Sequence, residues 1–463
     1  MALTLVWFRD DLRISDNPAL AAAADRGDDI VACYVFDEDT DGMRPLGGAS
    51  KWWLHHSLVA LEESLDDLGV PLVLRRGAAG DVIPALVQEA SADAVVWNRR
   101  YGLAERTADA ALKESLGHQG VDVTSYQANL MFEPWEVTSG AGEAYKVFTP
   151  FWRACLATRT PRRPLPAPTS LHGPRLESDD LGEWGLLPTK PDWAQGLRDT
   201  WTPGENGAHR RLDLFLDASL RGYKDNRNLP GVQGTSMLSP HLRFGEISPF
   251  EVYHAAQGQK DSSIADDIRV YGSELGWREF SWQLLYFNPE LATVNYRPEF
   301  NAFAWEISTD AELEAWQRGR TGYPLIDAGM RQLWEIGWMH NRVRMATASF
   351  LIKNLMIDWR VGERFFWDCL VDADAASNAA SWQWVAGSGA DASPYFRIFN
   401  PVLQSKKFDP DGKYLTRFVP ELENAENIHE PWKGSVSDYP APIVDLKESR
   451  ERALSAYKAL SGG

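Results

Sequence analysis

The sequence is poor in cysteine and in positive charge, and each shortage excludes a class of protein. Its 463 residues contain three cysteines, Cys33, Cys155 and Cys369, which lie far apart. Three cysteines cannot supply a four-cysteine iron–sulfur or zinc site, and nothing in their spacing indicates a disulfide framework. The 47 Lys and Arg residues are outnumbered by 65 Asp and Glu residues, which gives a formal net charge of −18. This charge argues against general adhesion to polyanions, so a nucleic-acid partner must meet a local basic patch.

Signals for export and membrane insertion are also missing. The first residues, MALTLVWFRDDLR, carry charges of both signs and do not resemble a signal peptide. No apolar run approaches the length that crosses a bilayer, so we expect a cytoplasmic protein in a reducing compartment, with no membrane partner. Tryptophan, in contrast, is abundant. The 20 indoles, most of them after residue 270, indicate either an aromatic core or stacking and electron-transfer chemistry.

The order of periodic segments predicts two domains and a connector. Strand-like runs alternate with amphipathic segments, the former at 3–8, 30–36, 71–76, 94–98 and 121–126, the latter at 17–26, 49–68, 80–91 and 104–118. This alternation predicts an α/β domain over 1–130 with a doubly wound, Rossmann-like parallel sheet. The dinucleotide fingerprint G-x-G-x-x-G does not follow the first strand. Proline and glycine predict a semi-extended connector over 131–204, and the remainder, 205–463, is predicted to be mostly α-helical.

One polar stretch, DADAASNAASWQW at 372–384, places acids, an amide and indoles among small residues. Asp374, Asn378 and Trp382 are spaced i, i+4 and i+8, so they share one face if the segment is helical. Asp372 and Asp374 lie near the predicted helix start, where helix capping alone would explain a carboxylate. Asn378 in mid-helix indicates a buried partner, because asparagine is a poor residue for a helix interior.

Two other clusters are ambiguous when each is considered alone. Thr235, Ser236 and Ser239 follow two glycines at a predicted helix start, which suits a diphosphate and suits simple capping equally well. Glu274 and Arg278 are spaced i, i+4, which is also the spacing of an ordinary surface ion pair. The segment GWMHNRVRM concentrates polar side chains but has no metal-ligand spacing, so no metal site is expected.

Taken together, these segments resemble the photolyase/cryptochrome family. The resemblance is carried by WFRDDLRISDNPAL, YKVFTPFW, GTSMLSPHLRFGEISP, WREF, GWMHNRVRM, WQWVAGSGADASPYFRIFNP and HEPW, and it covers 1–163 and 205–460. Within the family the chain is similar to the bacterial class I cyclobutane pyrimidine dimer (CPD) photolyases. The resemblance implies a deoxyribodipyrimidine photo-lyase, which repairs CPDs in DNA by electron transfer from excited FADH⁻.

The same resemblance implies that the helical domain binds FAD. The residues expected around the diphosphate are Tyr223, Thr235, Ser236, Met237, Leu238 and Ser239. Met237 stands where the family often has a polar residue. The residues expected around the isoalloxazine and ribose are Glu274, Arg278, Asn341, Arg344, Asp372 and Asp374. Asn378 is expected to face flavin N5, and Trp382, Trp359 and Trp305 are expected to relay electrons to the flavin.

UV-damaged DNA, with the lesion flipped out of the base stack, is the partner that the resemblance implies, and we expect a monomer. The expected lesion pocket consists of Trp277, Trp384, Met345 and Glu274. The expected phosphate-contacting rim consists of Arg227, Arg342, Arg397, Lys406 and Lys407.

Three alternatives are weighed against this interpretation. A blue-light receptor of the cryptochrome type is disfavoured by Asn378, by Met345 and by the short segment after Trp432. A (6-4) photolyase is disfavoured by Met345 and Trp384, and a plain electron-transfer flavoprotein leaves the pocket indoles and the basic rim unexplained. The sequence leaves open whether a second, antenna chromophore binds, and whether it is methenyltetrahydrofolate or 8-hydroxydeazaflavin.

Overall fold

An α/β domain and a helical domain meet along the carboxyl edge of one parallel sheet. The computed structural model of the chain describes residues 2–140, 142–259, 261–306, 310–392, 396–434, 436 and 438–461. The strands are β1 (Leu3–Phe8), β2 (Asp29–Phe36), β3 (Leu72–Arg76), β4 (Ala94–Asn98) and β5 (Asp122–Tyr126). Within the described residues they form a five-stranded sheet in the order β3-β2-β1-β4-β5, with every neighbouring pair parallel. The predicted doubly wound sheet is therefore confirmed, with strand bounds within one residue of the expected ones.

Helices cover both faces of this sheet, as a parallel sheet requires. They are α1 (Pro18–Arg26), α2 (Gly48–Leu68), α3 (Ala79–Ala90) and α4 (Leu103–His118). Successive side chains of β1 point to opposite faces, so Val6 packs with α1 and α2 residues while Trp7 packs with α3 and α4 residues. The start of α1 is fixed by Asn17, whose side chain accepts a hydrogen bond from the N–H of Leu20 at 3.1 Å.

The connector is more ordered than the sequence predicted. It contains α5 (Phe148–Thr158), a 3₁₀ turn at Leu181–Trp184 and α6 (Gln195–Thr200). Phe151 and Trp152 of α5 are buried in the helical domain's core. Their apolar burial explains why this part forms a helix, whereas the proline-rich stretch after it runs irregularly beside β2 and β3, where the N–H of Ile30 bonds to the carbonyl of His172 at 2.8 Å.

The rest of the chain is helical, as predicted. Its helices are α7 (Glu205–Ala218), α8 (Tyr223–Asn226), α9 (Ser239–Phe244), α10 (Pro249–Gln257), α11 (Ala265–Phe287), α12 (Asp310–Gln317), α13 (Pro324–Ile336), α14 (Asn341–Ser349), α15 (Trp359–Cys369), α16 (Ala375–Ala386), α17 (Pro401–Phe408), α18 (Lys413–Phe418) and α19 (Leu446–Ser461). Short 3₁₀ helices lie at Ser262–Ile264, Pro298–Ala302, Pro420–Leu422 and Pro431–Lys433, and a π-helical turn, Phe350–Asn354, follows α14 directly. The long helix α11 packs against α16, and α16 also packs against α15. These three helices position most of the candidate site.

Candidate functional site

The polar stretch 372–384 begins one turn before α16 and continues along it. Asp374 is the N-cap of α16, and its carboxylate accepts hydrogen bonds from the N–H groups of Ala376 at 3.0 Å and Ser377 at 2.6 Å. Its second oxygen accepts a hydrogen bond from the indole N–H of Trp282 at 3.1 Å. The capping alternative is thus correct for Asp374, which also joins α16 to α11.

Asp372 does not cap this helix. One terminal nitrogen of the Arg344 guanidinium donates to both oxygens of the Asp372 carboxylate, at 2.8 and 3.1 Å, and the Asp372 side chain is 4% exposed. The Nε–H of Arg344 donates to the carbonyl of Met339 at 2.7 Å. This ion pair joins α14 to the segment just before α16.

Asn378 is the fourth residue of α16, nearer the start of the helix than the sequence interpretation assumed, and lies on the same face as Asp374. It has the buried partner that the sequence led us to expect. Its amide Nδ2 donates to the backbone carbonyl of Glu363 at 3.0 Å and to the Glu363 carboxylate at 2.9 Å. Glu363 belongs to α15, and its side chain is 1% exposed. Glu363 was not among the site residues expected from the sequence.

The segment before α9 has the geometry of a tight loop rather than of a helix start. Helix α9 begins at Ser239, so Thr235 and Ser236 precede it. Met237 has a positive φ of 50°. Gly234 approaches Asn226 so closely that an added Cβ would lie 2.9 Å from the Asn226 carbonyl oxygen. Half-buried hydroxyls on such a loop fit a diphosphate.

Two neighbours hold this loop in place. Ser239 accepts a hydrogen bond from the indole N–H of Trp338 at 3.2 Å, and Arg211 lies 3.6 Å from the sulfur of Met237. Tyr223, at the start of α8, is buried against Phe215 and Tyr271. Leu238 is also buried. The expected diphosphate residues are therefore brought together, in part by aromatic packing.

Glu274 and Arg278 on α11 do not pair with each other. Glu274 forms an ion pair with Arg227 at 2.5 Å, and burial raises the pKa of the Glu274 carboxyl, an effect that Arg227 opposes. Arg278 instead donates to the carbonyl of Asn129 at 2.6 Å, across to the sheet domain. The i, i+4 spacing places both residues on one side of α11, but each of them bonds to a residue outside this helix.

Two indoles line an opening near α16. The ring of Trp277 stacks on Phe148 with centroids 3.9 Å apart and an interplanar angle of 11°. Trp384 donates its indole N–H to the carbonyl of Asp391 at 3.0 Å. Both indoles are only partly buried, which leaves ring surface available to a planar ligand. Phe148 was not identified from the sequence as part of this pocket.

A cluster of cations lies beside the opening in this acidic protein. Arg342 donates to Asn228 Oδ1 at 2.5 Å and lies 4.5 Å from the ring centre of Phe408. Burial lowers the pKa of Arg342, and the positive charges of Arg227 and Arg397 lower it further. These three arginines repel one another, so the cluster favours an anion among them.

Lys353 extends the cluster inward. Its ammonium is buried under the ring of Phe396, 4.3 Å from the ring centre, and it donates to the carbonyl of Arg397. Burial, followed by repulsion from Arg397, lowers the pKa of Lys353 to about 7. Nothing in the sequence indicated that this lysine is buried, because lysine usually keeps its ammonium in water.

Lys406 was predicted to lie on the phosphate rim, but its ammonium is already paired. It bonds to Glu430 at 2.6 Å, and Lys433 bonds to the same carboxylate at 2.6 Å. These two lysines hold the pKa of Glu430 at about 2. Lys407 lies 5.1 Å from the ring centre of Phe408.

The remaining expected site residues lie on α14 or in the predicted relay. Asn341 is the first residue of α14 and is exposed, and Met345 lies 3.9 Å from a terminal nitrogen of Arg342. Trp382 and Trp359 are fully buried, at 2% and 0% exposed, whereas Trp305 is partly exposed. Gly362 allows Trp382 to lie directly against α15, since a Cβ at this position would overlap the indole. Two of the three indoles expected in the relay are thus buried, and the third is partly exposed to solvent.

A cavity of about 20 Å³ lies between the two domains. Asp10 and Arg100 of the sheet domain form part of its wall, and Arg243, Arg278 and Asp374 of the helical domain form another part. Asp10 and Arg243 form an ion pair at 2.8 Å across it. This space suits a water molecule. Two of its lining residues, Arg278 and Asp374, are among those expected around the isoalloxazine and ribose.

Comparison with known proteins identifies the family. Residues 4–169 match the family model described as DNA photolyase, and residues 271–459 match the one described as the FAD binding domain of DNA photolyase. The chain is 51% identical to the deoxyribodipyrimidine photo-lyase of Agrobacterium fabrum, over 99% of this chain and 98% of that protein. The chain belongs to the DNA photolyase family, and its helical domain is the family's FAD-binding domain.

Two solved structures are similar over the whole chain. A bacterial class III photolyase from Agrobacterium tumefaciens is 50% identical with a TM-score of 0.96, covering 100% of this chain and 98% of that one. An archaeal photolyase from Sulfolobus tokodaii, solved with two FAD molecules, is 30% identical with a TM-score of 0.84, covering 99% and 100%. The first comparison gives no support to the class I assignment expected from the sequence.

The described residues contain neither a membrane-spanning helix nor a metal-binding cluster. None of the helices described here is both long and apolar enough to cross a membrane. Within the same part of the chain, no group of three or more His, Cys, Asp or Glu side chains is arranged to hold a metal ion. The cysteines in this part are free thiols, and burial raises the pKa of the Cys369 thiol to about 12.

Proposed function

We propose that this protein repairs cyclobutane pyrimidine dimers in DNA in a light-dependent reaction, with FAD as its cofactor. The observation that carries the proposal is the continuity between the basic cluster and the indole pocket. Arg227 of the cluster is bonded to Glu274, one turn of α11 before Trp277. A damaged strand whose phosphates meet the arginines would therefore present its extruded bases to the indoles.

The FAD-binding role is assigned to residues whose chemistry fits the parts of the cofactor. The loop containing Thr235, Ser236 and Ser239 offers hydroxyls and N–H groups to a diphosphate. Arg344 and Arg278 supply positive charge towards the ring and ribose, and the small residues of α16 allow a flat ring to approach the backbone. Asn378 is proposed to face flavin N5. When bound and reduced, FAD would supply the electron that opens the cyclobutane ring and would recover it afterwards.

The protein's own residues bind and orient the lesion in this proposal. Trp277 and Trp384 hold the two pyrimidines between aromatic surfaces, and Met345 closes the pocket. Glu274 accepts a hydrogen bond from a pyrimidine once it exchanges Arg227 for the base. A dimer stacks poorly in duplex DNA, so its extrusion costs less than that of intact bases, which provides selectivity without sequence readout.

The class of photolyase is proposed from overall similarity. The class III structure shares half of its residues with this chain and superposes over its full length. We therefore propose class III in place of class I, and a monomeric protein located in the cytoplasm.

A direct test illuminates the reduced holoprotein with two short oligonucleotides, one containing a CPD and the other a (6-4) photoproduct. Restored pyrimidines are counted by chromatography, and a sample kept in the dark is the control. We expect repair of the CPD alone, and only in light. Absence of CPD repair would refute the assignment. Repair of the (6-4) photoproduct would instead identify the protein as a (6-4) photolyase.

The indole relay has a test of its own. Trp382→Phe removes the residue proposed to reduce the flavin first, so photoreduction of oxidised FAD should fall by at least tenfold. Repair by chemically reduced protein should persist, because the catalytic electron starts on the flavin. Trp316→Phe is the matched control: this buried indole contacts Trp382 edge-on at 6.4 Å but lies outside the proposed relay. Equal loss of photoreduction in both variants would refute the relay.

A further inference from the structure

We propose that Arg44, a residue of the sheet domain, is a positioning residue for the flavin site, because it fixes the orientation of the Asn378 amide through Glu363. The inference rests on the proposed function only in that Asn378 faces flavin N5. Arg44 lies in the loop between β2 and α2, on a different domain from the residue that it is proposed to orient.

The contacts form a continuous path. The guanidinium of Arg44 donates to both carboxylate oxygens of Glu363, at 2.7 and 2.8 Å. The oxygen that accepts the 2.7 Å bond also accepts the 2.9 Å bond from Asn378 Nδ2. Glu363 is buried, so Arg44 provides its compensating charge, and a buried carboxylate that loses its partner is strongly destabilised.

This path determines which end of the Asn378 amide faces the flavin. Both atoms that contact the amide from α15 are acceptors, the Glu363 carbonyl and its carboxylate, so the amide must turn its NH₂ towards them. The amide oxygen lies on the other side of the same carbon and therefore faces away from α15. The bond from Arg44 keeps the Glu363 oxygen that contacts the amide an acceptor, which maintains this arrangement.

Arg44 is itself held by a seam between the domains. Its guanidinium lies 3.9 Å from the ring centre of Trp367 on α15. The indole N–H of Trp367 donates to the carbonyl of Pro45 at 2.9 Å, and the N–H of Gly48 donates to Asp368 at 2.8 Å. The loop is therefore fixed to the same helix that carries Glu363, which makes the Arg44 contact part of a preorganised structure.

The orientation of the amide matters because flavin N5 changes its hydrogen-bonding character on reduction. Oxidised N5 is an acceptor, and N5 carries a hydrogen after the ring takes up one electron and one proton. An amide oxygen facing N5 favours the form with hydrogen on N5, and an NH₂ group facing N5 favours the oxidised form. Arg44 thus acts on the redox equilibrium of the cofactor without touching it.

The test compares the purified FAD-loaded protein with Arg44→Met and with a control. Methionine retains apolar contact with Trp367 but removes the charge. Asp368→Ala is the control: it removes the carboxylate that accepts the N–H of Gly48 in the same seam. Asp368 is exposed, and its side chain has no bond to Glu363 among the described contacts. The measurement is the midpoint potential of bound FAD for one electron and one proton, by titration with dithionite and redox mediators. FAD content and melting temperature are recorded in parallel.

We expect Arg44→Met to lower the equilibrium constant for the one-electron, one-proton reduction of bound FAD by about two- to tenfold. This range corresponds to the loss of one hydrogen bond with a net contribution of about 0.5–1.5 kcal/mol. Asp368→Ala should leave the potential unchanged even if it lowers the melting temperature. Arg44→Lys, which restores a positive charge, should recover at least half of the shift. A potential in Arg44→Met equal to that of the wild type would overturn the proposal, as would an equal shift in Asp368→Ala.

A second pair of variants serves if Arg44→Met does not fold. In Glu363→Gln the donors of Arg44 attract the one amide oxygen, so the NH₂ of the glutamine faces Asn378 and the potential should fall. In the double variant Arg44→Met with Glu363→Gln the glutamine is free to present its oxygen to Asn378, and the potential should rise again. Strictly additive shifts would contradict the proposed path. Failure of the proposed function would instead show as no CPD repair by the wild type, whatever the potentials.

Discussion

The carboxyl edge of the sheet and the face of α16 both concentrate buried polar groups, but they use them differently. At the sheet edge, Arg9 pairs with Asp109 at 2.6 Å and Asp11 accepts from Asn98 at 2.5 Å, so these two charged groups have partners within their own domain. Around α16, Asn378 has one end bonded and the other turned away, and neighbouring arginines repel one another. Arg9 and Asp11 at the sheet edge are therefore bonded within the protein, whereas polar groups around α16 can still bind a ligand.

This difference explains why a general rule about doubly wound sheets does not locate the site. Ligands of such folds usually bind outside the carboxyl ends of the strands, at the point where strand order reverses. Here the segment that follows β1 bonds to the helical domain instead. The Arg13 side chain donates to the carbonyl of Gly245 at 2.8 Å, and the Glu205 carboxylate accepts the backbone N–H of Ile14 at 2.7 Å. The sheet edge has become a domain interface.

The largest expected effect comes from breaking a pair at the sheet edge. Asp109→Ala leaves the buried guanidinium of Arg9 without its carboxylate and should lower the free energy of unfolding by about 3–5 kcal/mol. Asp122→Ala removes an exposed partner of Arg26 and should cost less than about 1 kcal/mol. Urea denaturation of both variants is the measurement. Equal losses of unfolding free energy in the two variants would mean that the buried pair at the sheet edge contributes no more stability than the exposed pair.

A titration at the helical site should give the next largest effect. His340 is the N-cap of α14, and its Nδ1 accepts the N–H of Arg342 at 3.2 Å, which requires a neutral ring. Burial, assisted by Arg342, Arg344 and Arg227, lowers its pKa to about 3. Below about pH 6.5 the histidine of the unfolded chain binds a proton, whereas the folded one stays neutral down to about pH 3. The free energy of unfolding therefore decreases as the pH is lowered through this window, by up to about 1.4 kcal/mol per pH unit.

His340→Asn keeps a capping oxygen and removes the titration. We expect the variant to match the wild type within about 1 kcal/mol at pH 8 and to lose less stability between pH 6 and pH 4. Urea denaturation across this pH range is the measurement. Parallel pH profiles for the two proteins would show that other groups govern acid stability.

The open surface of the indole pocket gives a third contrast. Trp277→Ala removes a ring that stacks on Phe148 and should reduce the preference for CPD-containing over intact DNA by about 1–3 kcal/mol. Trp334→Ala is the control, since this indole is exposed on α13 and donates to the carbonyl of Gln317, in the helical domain but outside the pocket. Competition binding with matched duplexes measures the preference. An unchanged preference in Trp277→Ala would remove this indole from lesion recognition.

Sequence reasoning located elements well and partners poorly. The strands were predictable because hydrophobic alternation and turn residues are local properties, and α16 was predictable from the spacing of Asp374, Asn378 and Trp382. The partners of these residues come from distant segments: Glu363 for Asn378 and Arg344 for Asp372. Nothing in a local pattern indicates which of several carboxylates and guanidiniums will meet once the helices pack.

The connector and the rim show the same limit. Helix α5 was not predicted because proline-rich neighbours dominate the composition of 131–204, although Phe151 and Trp152 bury well against α11. Lys406 was predicted to contact phosphate because it follows a recognisable motif, yet Glu430, 24 residues away, is bonded to it. In both cases a tertiary contact outweighs the local signal.

The smallest expected effect tests whether the cations of the rim differ from one another as their partners do. Arg342 has repelling arginines beside it, and its guanidinium contacts the Asn228 amide and the Met345 sulfur. Within the described residues it forms no ion pair, so a phosphate can bind it without displacing a carboxylate. Arg342→Ala should reduce the slope of log affinity against log salt by about 0.9, the release of one counterion from duplex DNA. Lys406→Ala should change it less, because Glu430 already neutralises that ammonium and a phosphate would have to displace a carboxylate. Binding of one CPD duplex at several salt concentrations measures both slopes, with FAD content as the check on folding. Equal changes in the two variants would mean that the Lys406–Glu430 pair opens on DNA, and the distinction between satisfied and available charges would then fail at the rim.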